Sequence, residues 1–288
     1  MEIEVEGRRL RLSNLDKLMY PEAGFTKGQL IDYYVRIAPV LLPHLRGRPL
    51  TLKRYPNGVE GQYFYEKRCP PHAPEWVSKG EMIGISFCLA DDLPTLAWLA
   101  NLADLELHPS LSRAEAPERP TTMVFDLDPG APAGLRECTE VALLLRSTLA
   151  ELGLECFPKT SGSKGMQVYV PLHSEVTYDH TKALARALAR LLEKQHGKLV
   201  TSVMAKERRR GKVFIDWSQN DLHKTTVCVY SLRARERPTV STPLLWEEVE
   251  AGDPDALVFE SGEVLERVEE HGDLFGPVEE LEQELPEL

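Results

Sequence analysis

The chain has 288 residues, 42% hydrophobic and 27% charged, which is ordinary globular composition and excludes disordered or fibrous classes; the length fits one large domain or two coupled subdomains. Its net charge of −11 argues against a nucleic-acid partner only as a total, because residues 247–288 hold 16 Asp+Glu against the single Arg267, and residues 1–246 carry a net +4. No apolar stretch approaches the roughly 18 residues of a membrane span, and the N-terminus Met1-Glu2-Ile3-Glu4-Val5-Glu6 is too acidic for a secretory signal, so a cytoplasmic protein with no membrane partner is expected.

Along the chain, Tyr20-Pro21-Glu22-Ala23-Gly24 reads as a turn. Thr26 with Gln29 fits a capping box, and Leu30, Tyr33, Tyr34, Ile37 and Leu41 follow at helical spacing. Pro39 and Pro43 are expected to bend or end that helix. Strands are predicted over 50–55 and 62–66, a Pro-rich loop over 67–80 and a helix over 95–105. Residues 113–121, rich in Pro and charge, mark a subdomain boundary. Beyond them come a strand ending in Asp126-Leu127-Asp128, a helix over 135–152, a short strand near Cys156 and a turn at 160–165. A strand over 166–171, a helix over 181–196 and strands over 212–217 and 225–231 complete the pattern, whose alternation predicts an α/β protein. Cys69, Cys88, Cys138, Cys156 and Cys228 lie far apart without a C-x-x-C pair and predict buried thiols in a reducing compartment. Leu257, Phe259, Val264, Leu274 and Phe275 predict that the acidic tail, 247–288, packs back on the core, with a disordered end over 279–288.

Asp126 and Asp128, at i and i+2 of a strand, point to one face. Two carboxylates there repel unless a cation lies between them, and hard oxygen ligands suit Mg2+ or Mn2+; the alternative is a pair of solvated acids at a strand end. Val213-Phe214-Ile215-Asp216-Trp217 places a third aspartate in an apolar strand, where a lone carboxylate is costly unless it is paired or bound to metal. Asp126, Asp128 and Asp216 could together hold two cations, as in phosphoryl or nucleotidyl transfer. Between them lies Lys159-Thr160-Ser161-Gly162-Ser163-Lys164-Gly165, whose glycines admit backbone N–H groups to a phosphate while Ser161, Ser163 and Lys164 can donate to it. The glycine spacing and the following strand exclude a Walker loop, and a plain hairpin turn is the alternative. The patch Lys206-Glu207-Arg208-Arg209-Arg210-Gly211-Lys212 reads as a phosphate contact or a solvated loop.

In this order, Asp126-Leu127-Asp128, Ser161-Gly162-Ser163-Lys164-Gly165, Phe214-Ile215-Asp216-Trp217-Ser218-Gln219-Asn220, Lys224-Thr225-Thr226 and Tyr230-Ser231-Leu232-Arg233 resemble the polymerase domain of bacterial ligase D, a member of the archaeo-eukaryotic primase superfamily. The resemblance runs from about residue 12 to about residue 275. It implies an antiparallel-rich catalytic sheet flanked by helices over 116–246, with a smaller N-terminal α/β portion over 1–115 that holds DNA. It also implies a template-dependent polymerase that fills short gaps or extends broken ends, prefers ribonucleotides, and uses two Mn2+ or Mg2+ ions on Asp126, Asp128 and Asp216.

By the same resemblance, Ser161, Lys164, Arg209, Gln219, Arg233 and His108 match positions near the incoming nucleotide. Asn14, Lys17 and Lys27 match positions that grip a 5′-phosphate. Phe64 and Tyr65 match an aromatic pair on the template base; adjacent strand residues face opposite ways, so one of the two is expected to bury in the core. A histidine frequent two residues after the Lys-Gly of the nucleotide loop is replaced by Gln167, which can donate a hydrogen bond but carries no charge. The 288 residues contain no ligase or nuclease domain, so the expectation is either that a separate ligase and an end-binding protein are partners or that the enzyme works in another gap-filling pathway. Two other readings stay open on the residues alone: an aspartyl-phosphate phosphohydrolase, whose motif Phe125-Asp126-Leu127-Asp128 resembles but whose usual Thr or Val is here Gly130, and a non-catalytic nucleic-acid-binding module.

Overall fold

Four short strands open the chain: β1 (Glu2–Val5) and β2 (Arg8–Arg11) pair antiparallel, as do β3 (Leu18–Tyr20) and β4 (Phe25–Thr26). Thr26 then caps α1 (Lys27–Leu45) with a complete capping box, its hydroxyl accepting from Gln29 N while the Gln29 side chain accepts from Thr26 N. Leu30, Tyr33, Tyr34, Ile37 and Leu41 form the buried stripe. The prolines expected to bend or end the helix do not end it: α1 runs through Pro39 and Pro43 to Leu45. Both prolines lie on its exposed face, where water can serve the carbonyls they leave unpaired, and the packed stripe keeps the helix whole.

The computed structural model describes residues 1–286, and these divide into two units. One comprises Met1–Glu115, Thr225–Ser241 and Glu260–Asp273; the other comprises Ala116–Lys224, Thr242–Phe259 and the described residues from Leu274 onward. The chain therefore returns twice to the first unit after leaving it at residue 115, returns that a linear three-part division does not contain.

In the first unit follow β5 (Leu50–Arg54), β6 (Phe64–Glu66), β7 (Lys79–Met82), β8 (Ile85–Cys88), α2 (Leu93–Asn101) and β9 (Asp104–Pro109). Strand β5 pairs antiparallel with both β6 and β9 and touches β8, which forms a hairpin with β7. The helix predicted to residue 105 ends at Asn101, and Ala103, at φ +59°, turns the chain into β9 without any Gly or Pro to announce it. Cys69 and Cys88 are disulfide-bonded, which corrects the expectation of five thiols; Cys138, Cys156 and Cys228 are buried and free. The strand expected over 225–231 has no ladder, because Tyr230 at φ +62° breaks the extended run and only an isolated bridge, Leu232 to Val240, forms beyond it.

The second unit holds β10 (Thr122–Pro129), α3 (Leu135–Glu151), β11 (Phe157–Thr160), β12 (Met166–Pro171), α4 (Tyr178–Gln195), β13 (Val200–Thr201), β14 (Val213–Asp216) and α5 (Trp246–Ala251). Beyond these, α6 (Ser261–His271) belongs to the first unit and α7 (Pro277–Glu280) to the second. The sheet order is β11-β12-β10-β14-β13, antiparallel except between β13 and β14. Alternation does the rest: Met123, Phe125, Leu127, Met166, Val168, Val170, Val213 and Ile215 point to one face and pack with Val141, Leu145 and Leu149 of α3 and Leu184, Leu188 and Leu192 of α4. The architecture is the expected one, an antiparallel-rich sheet flanked by helices with a further N-terminal α/β portion.

Of the tail segment expected to be disordered, residues 279–286 are fixed in part by Gln283, whose N–H donates to Leu172 O and whose side-chain amide bonds Glu155 and Pro171; Glu287 and Leu288 lie outside the described residues. Among the described residues no helix is long and apolar enough to cross a membrane.

Candidate active site

The face of the second unit's sheet opposite α3 and α4 collects the polar residues of four adjacent strands. Gln167 pairs in register with both Lys159 and Asp126, and Asp126 pairs with Asp216, so Lys159, Gln167, Asp126 and Asp216 form one row across β11, β12, β10 and β14. Asp128 shares the face two residues along.

Each carboxylate has protein partners. Asp126 Oδ1 accepts from Gln167 Nε2 at 3.0 Å, and Asp128 Oδ2 accepts from Arg209 Nη1 at 2.8 Å. Asp216 Oδ1 accepts from Ser218 N and Oγ at 3.0 and 2.5 Å, and its Oδ2 accepts from Gln219 Nε2 at 3.2 Å. Burial, with the charges of Asp216 and Asp128 adding to it, lifts the Asp126 carboxyl to about 6, although the Gln167 hydrogen bond opposes the rise.

Three hard-oxygen side chains on neighbouring strands, one of them pushed up by burial and by the other two, suit a hard divalent cation. Among the described residues, no three His, Cys, Asp or Glu side chains already surround a cation position. The carboxylates would exchange their present partners for the ion, and the donor set fits it.

Two glycines shape this end of the sheet. A Cβ on Gly165 would stand 2.3 Å from Leu127 O, and one on Gly130 would stand 2.1 Å from Arg209 O. Only glycine lets the 161–165 turn lie against β10, and only glycine lets the basic loop lie against the end of β10. Within the turn, Ser161 Oγ accepts from Ser163 N and Gly165 N, so this hydroxyl shapes the turn itself, whereas Lys164 is exposed. Arg209, assigned to a nucleotide from sequence, is held by Asp128, by Met204 O at 2.6 Å and against the Phe214 ring at 3.8 Å.

Three residues quoted within the sequence motifs were given no role there. Ser218 fixes Asp216, and Lys224 Nζ donates to Ser218 Oγ at 2.5 Å. Lys159 is fully buried and donates to Gln167 Oε1 at 2.6 Å. The cross-strand offset from Gln167 is a signal only once the hairpin register is known. Asn220, quoted within a motif, bonds both Val124 N and Val124 O and so serves as a side-chain extension of the β10 ladder.

In the first unit, His108 and Arg233 meet at the buried Glu106. His108 Nε2 lies 2.9 Å from Glu106 Oε2, Arg233 Nε lies 3.5 Å from it, and Lys53 Nζ reaches Oε1 at 3.2 Å. Burial pushes Glu106 upward, but the His108 hydrogen bond and the charges of Arg233 and Lys53 outweigh it and hold the carboxyl well below the usual range. Burial lowers His108, favouring the neutral ring.

Phe64 and Tyr65 are both exposed, which corrects the expectation that one would bury: β6 is a three-residue edge strand, and its side chains meet only other side chains at the rim, Arg54 over Phe64 and Tyr63 and His108 beside Tyr65. Lys53 Nζ sits 4.7 to 5.6 Å from the Tyr55, Tyr63 and Tyr65 rings, so Tyr63 joins the aromatic surface.

The same unit gathers Asn14, Lys17 and Lys27. Asn14, at φ +55°, turns the chain so that its carbonyl accepts from Lys17 N, while Lys17 Nζ reaches Pro56 O and Lys27 Nζ reaches Ser13 O. Burial, then the charges of Lys17 and Arg54, lowers Lys27 to about 8. A buried ammonium, Lys27, crowded by a second, Lys17, favours an anion.

Comparison with known proteins gives a consistent result. The family model "LigD, primase-polymerase domain" matches residues 26–275. The multifunctional non-homologous end joining protein LigD of Mycolicibacterium smegmatis is 43% identical over 277 residues, covering 94% of this chain and 36% of the relative. The bifunctional LigD of Bacillus subtilis is 32% identical over 265 residues, covering 92% and 43%. The chain thus spans well under half the length of these relatives. The solved polymerase domain of Mycobacterium tuberculosis ligase D, in complex with DNA, superposes with a TM-score of 0.89 at 40% identity, covering 96% of this chain and 99% of that one.

Proposed function

The chain belongs to the ligase D primase-polymerase family, and on that basis we propose that it is a template-dependent polymerase that fills short gaps and extends broken DNA ends in non-homologous end joining. The observation that carries the reading is the in-register row of Asp126 and Asp216, with Asp128 on the same sheet face and the Gly165 turn beside them.

The reaction is attack of a primer 3′-OH on the α-phosphate of a nucleoside triphosphate, releasing pyrophosphate. Two bound divalent cations, Mn2+ or Mg2+, would lower the pKa of the 3′-OH and neutralise charge on the pentavalent phosphorus and the leaving pyrophosphate. Asp126, Asp128 and Asp216 would hold them. Ser218 and Gln219 orient Asp216, and Gln167 orients Asp126. Lys164, with the Ser163 hydroxyl, receives triphosphate oxygens, and Arg209 joins them once it leaves Asp128. His108 and Arg233 stand ready around Glu106 for the nucleotide. Asn14, Lys17 and Lys27 take a 5′-phosphate, and Phe64 and Tyr65 stack on the template base. On this reading residues 1–115 contribute the DNA-holding portion and 116–246 the chemistry, and the enzyme acts in the cytoplasm with a ligase and an end-binding protein.

Extension of a primer on a gapped duplex, comparing NTP with dNTP and Mg2+ with Mn2+, tests this. The expected outcome is more efficient incorporation of ribonucleotides, greatest with Mn2+; extension that is absent with both metals would remove the proposal.

A further inference from the structure

Lys159 has no place in the roles assigned above, yet it begins the row that ends at the acids. It is fully buried on β11, donates to Gln167 Oε1 at 2.6 Å and lies 5.5 Å from the Tyr169 ring centroid. Gln167 in turn donates to Asp126 Oδ1 at 3.0 Å. An ammonium has donors only, so it compels the amide to present its oxygen, which leaves the amide NH2 for Asp126. The amide is thereby fixed at both ends, and each bond polarises the next.

Burying a lysine is costly without compensation, and the compensation runs along the row towards two carboxylates. Counted across the strands the row is one cation, a neutral amide and two anions. We propose that Lys159 is a positioning residue that serves as the built-in counter-charge of the acid row, holding Asp126 in place and keeping Asp126 and Asp216 compatible while no divalent cation is bound.

A fixed positive charge also opposes the arrival of another cation, so Lys159 weakens cation binding to the free protein. It leaves full occupancy to the moment when a nucleotide contributes its own anionic oxygens. Gln167, which cannot itself carry charge, acts as the connector between that charge and Asp126. The inference rests on the reading of Asp126 and Asp216 as cation ligands.

The test compares the full chain with Lys159→Met, close in volume and uncharged, and with Lys159→Gln, which keeps a donor for Gln167 while removing the charge. Thermal unfolding is followed with and without saturating MnCl2, and the Mn2+ dissociation constant is measured calorimetrically, all without nucleotide. Both variants are expected to melt lower than the parent in the absence of Mn2+, to gain more in Tm from Mn2+, and to bind Mn2+ more tightly, on the order of tenfold.

A merely structural lysine would lower Tm by the same amount with and without Mn2+ and leave the dissociation constant unchanged; that result would overturn the proposal. If Lys159→Met does not fold, Lys159→Gln carries the comparison, and if neither folds, Mn2+ rescue of folding supports the counter-charge role and its absence opposes it. If neither the parent nor either variant binds or is stabilised by Mn2+, even with a nucleoside triphosphate added, the reading of the aspartates as ligands fails, a result distinct from a parent that binds Mn2+ no more weakly than the variants.

Discussion

Asp216→Ala is expected to reduce templated nucleotide addition by about a thousandfold or more, the loss of several kcal/mol of transition-state stabilisation, while leaving affinity for gapped DNA within about twofold. Asp216 stands directly opposite Asp126 at the end of β14, and its carboxylate gathers Ser218 and Gln219. Its removal takes away one of three acid ligands and releases the side chains that it orients. The strand itself survives, because Val213 and Ile215 anchor β14 in the helix-covered core on the other face. Primer extension and DNA binding measured on the same preparation separate the two effects. Normal extension by the variant would remove Asp216 from the site.

The second large effect is expected at the cation cluster of the first unit. Lys17→Ala combined with Lys27→Ala should erase the preference for a 5′-phosphorylated gap, because two charge-assisted hydrogen bonds of roughly 1.5–3 kcal/mol each are lost, a change of about a hundredfold or more. Binding to the unphosphorylated gap is the control, since Lys27 also bonds Ser13 O and its loss has a structural cost.

The depressed Lys27 adds a pH signature. Its folded value near 8 means that the free protein loses the Lys27 charge as the pH rises through that value, whereas a bound phosphate dianion favours the charged form. Binding therefore takes up a proton, and preference for the phosphorylated gap should shrink as the pH rises through 8. A preference that is unchanged in the double variant, or independent of pH across this range, would contradict the assignment.

Much of this architecture was legible in the sequence where local chemistry and periodicity agree. The Thr26 capping box, the buried stripe of α1 and the alternation that separates Phe125 and Leu127 from Asp126 and Asp128 are all patterns within a few residues. What was not legible depends on partners distant in sequence. Pro39 and Pro43 read as breakers because the stripe that holds α1 together acts through tertiary packing. Strand β9 was hidden because Ala103 makes its turn without glycine.

The disulfide of Cys69 and Cys88 depends on a fold that brings residues 19 apart to within 4.8 Å between Cα atoms. At the site, the three aspartates were visible as apolar-flanked acids, whereas the Lys159–Gln167–Asp126–Asp216 row exists only through the register of four strands. Arg209 illustrates the same point: its basic loop was evident, its pairing with Asp128 was not.

The most direct measurement is nucleotide addition by the unmodified chain across a single-nucleotide gap, with each of the four nucleoside triphosphates supplied separately and pyrophosphate quantified alongside the extended product. Addition of the complementary nucleotide in preference to the other three, with one pyrophosphate released per nucleotide added and a requirement for a divalent cation, is the result predicted. Release of inorganic phosphate without extension, or addition indifferent to the template base, would contradict templated nucleotidyl transfer at Asp126, Asp128 and Asp216.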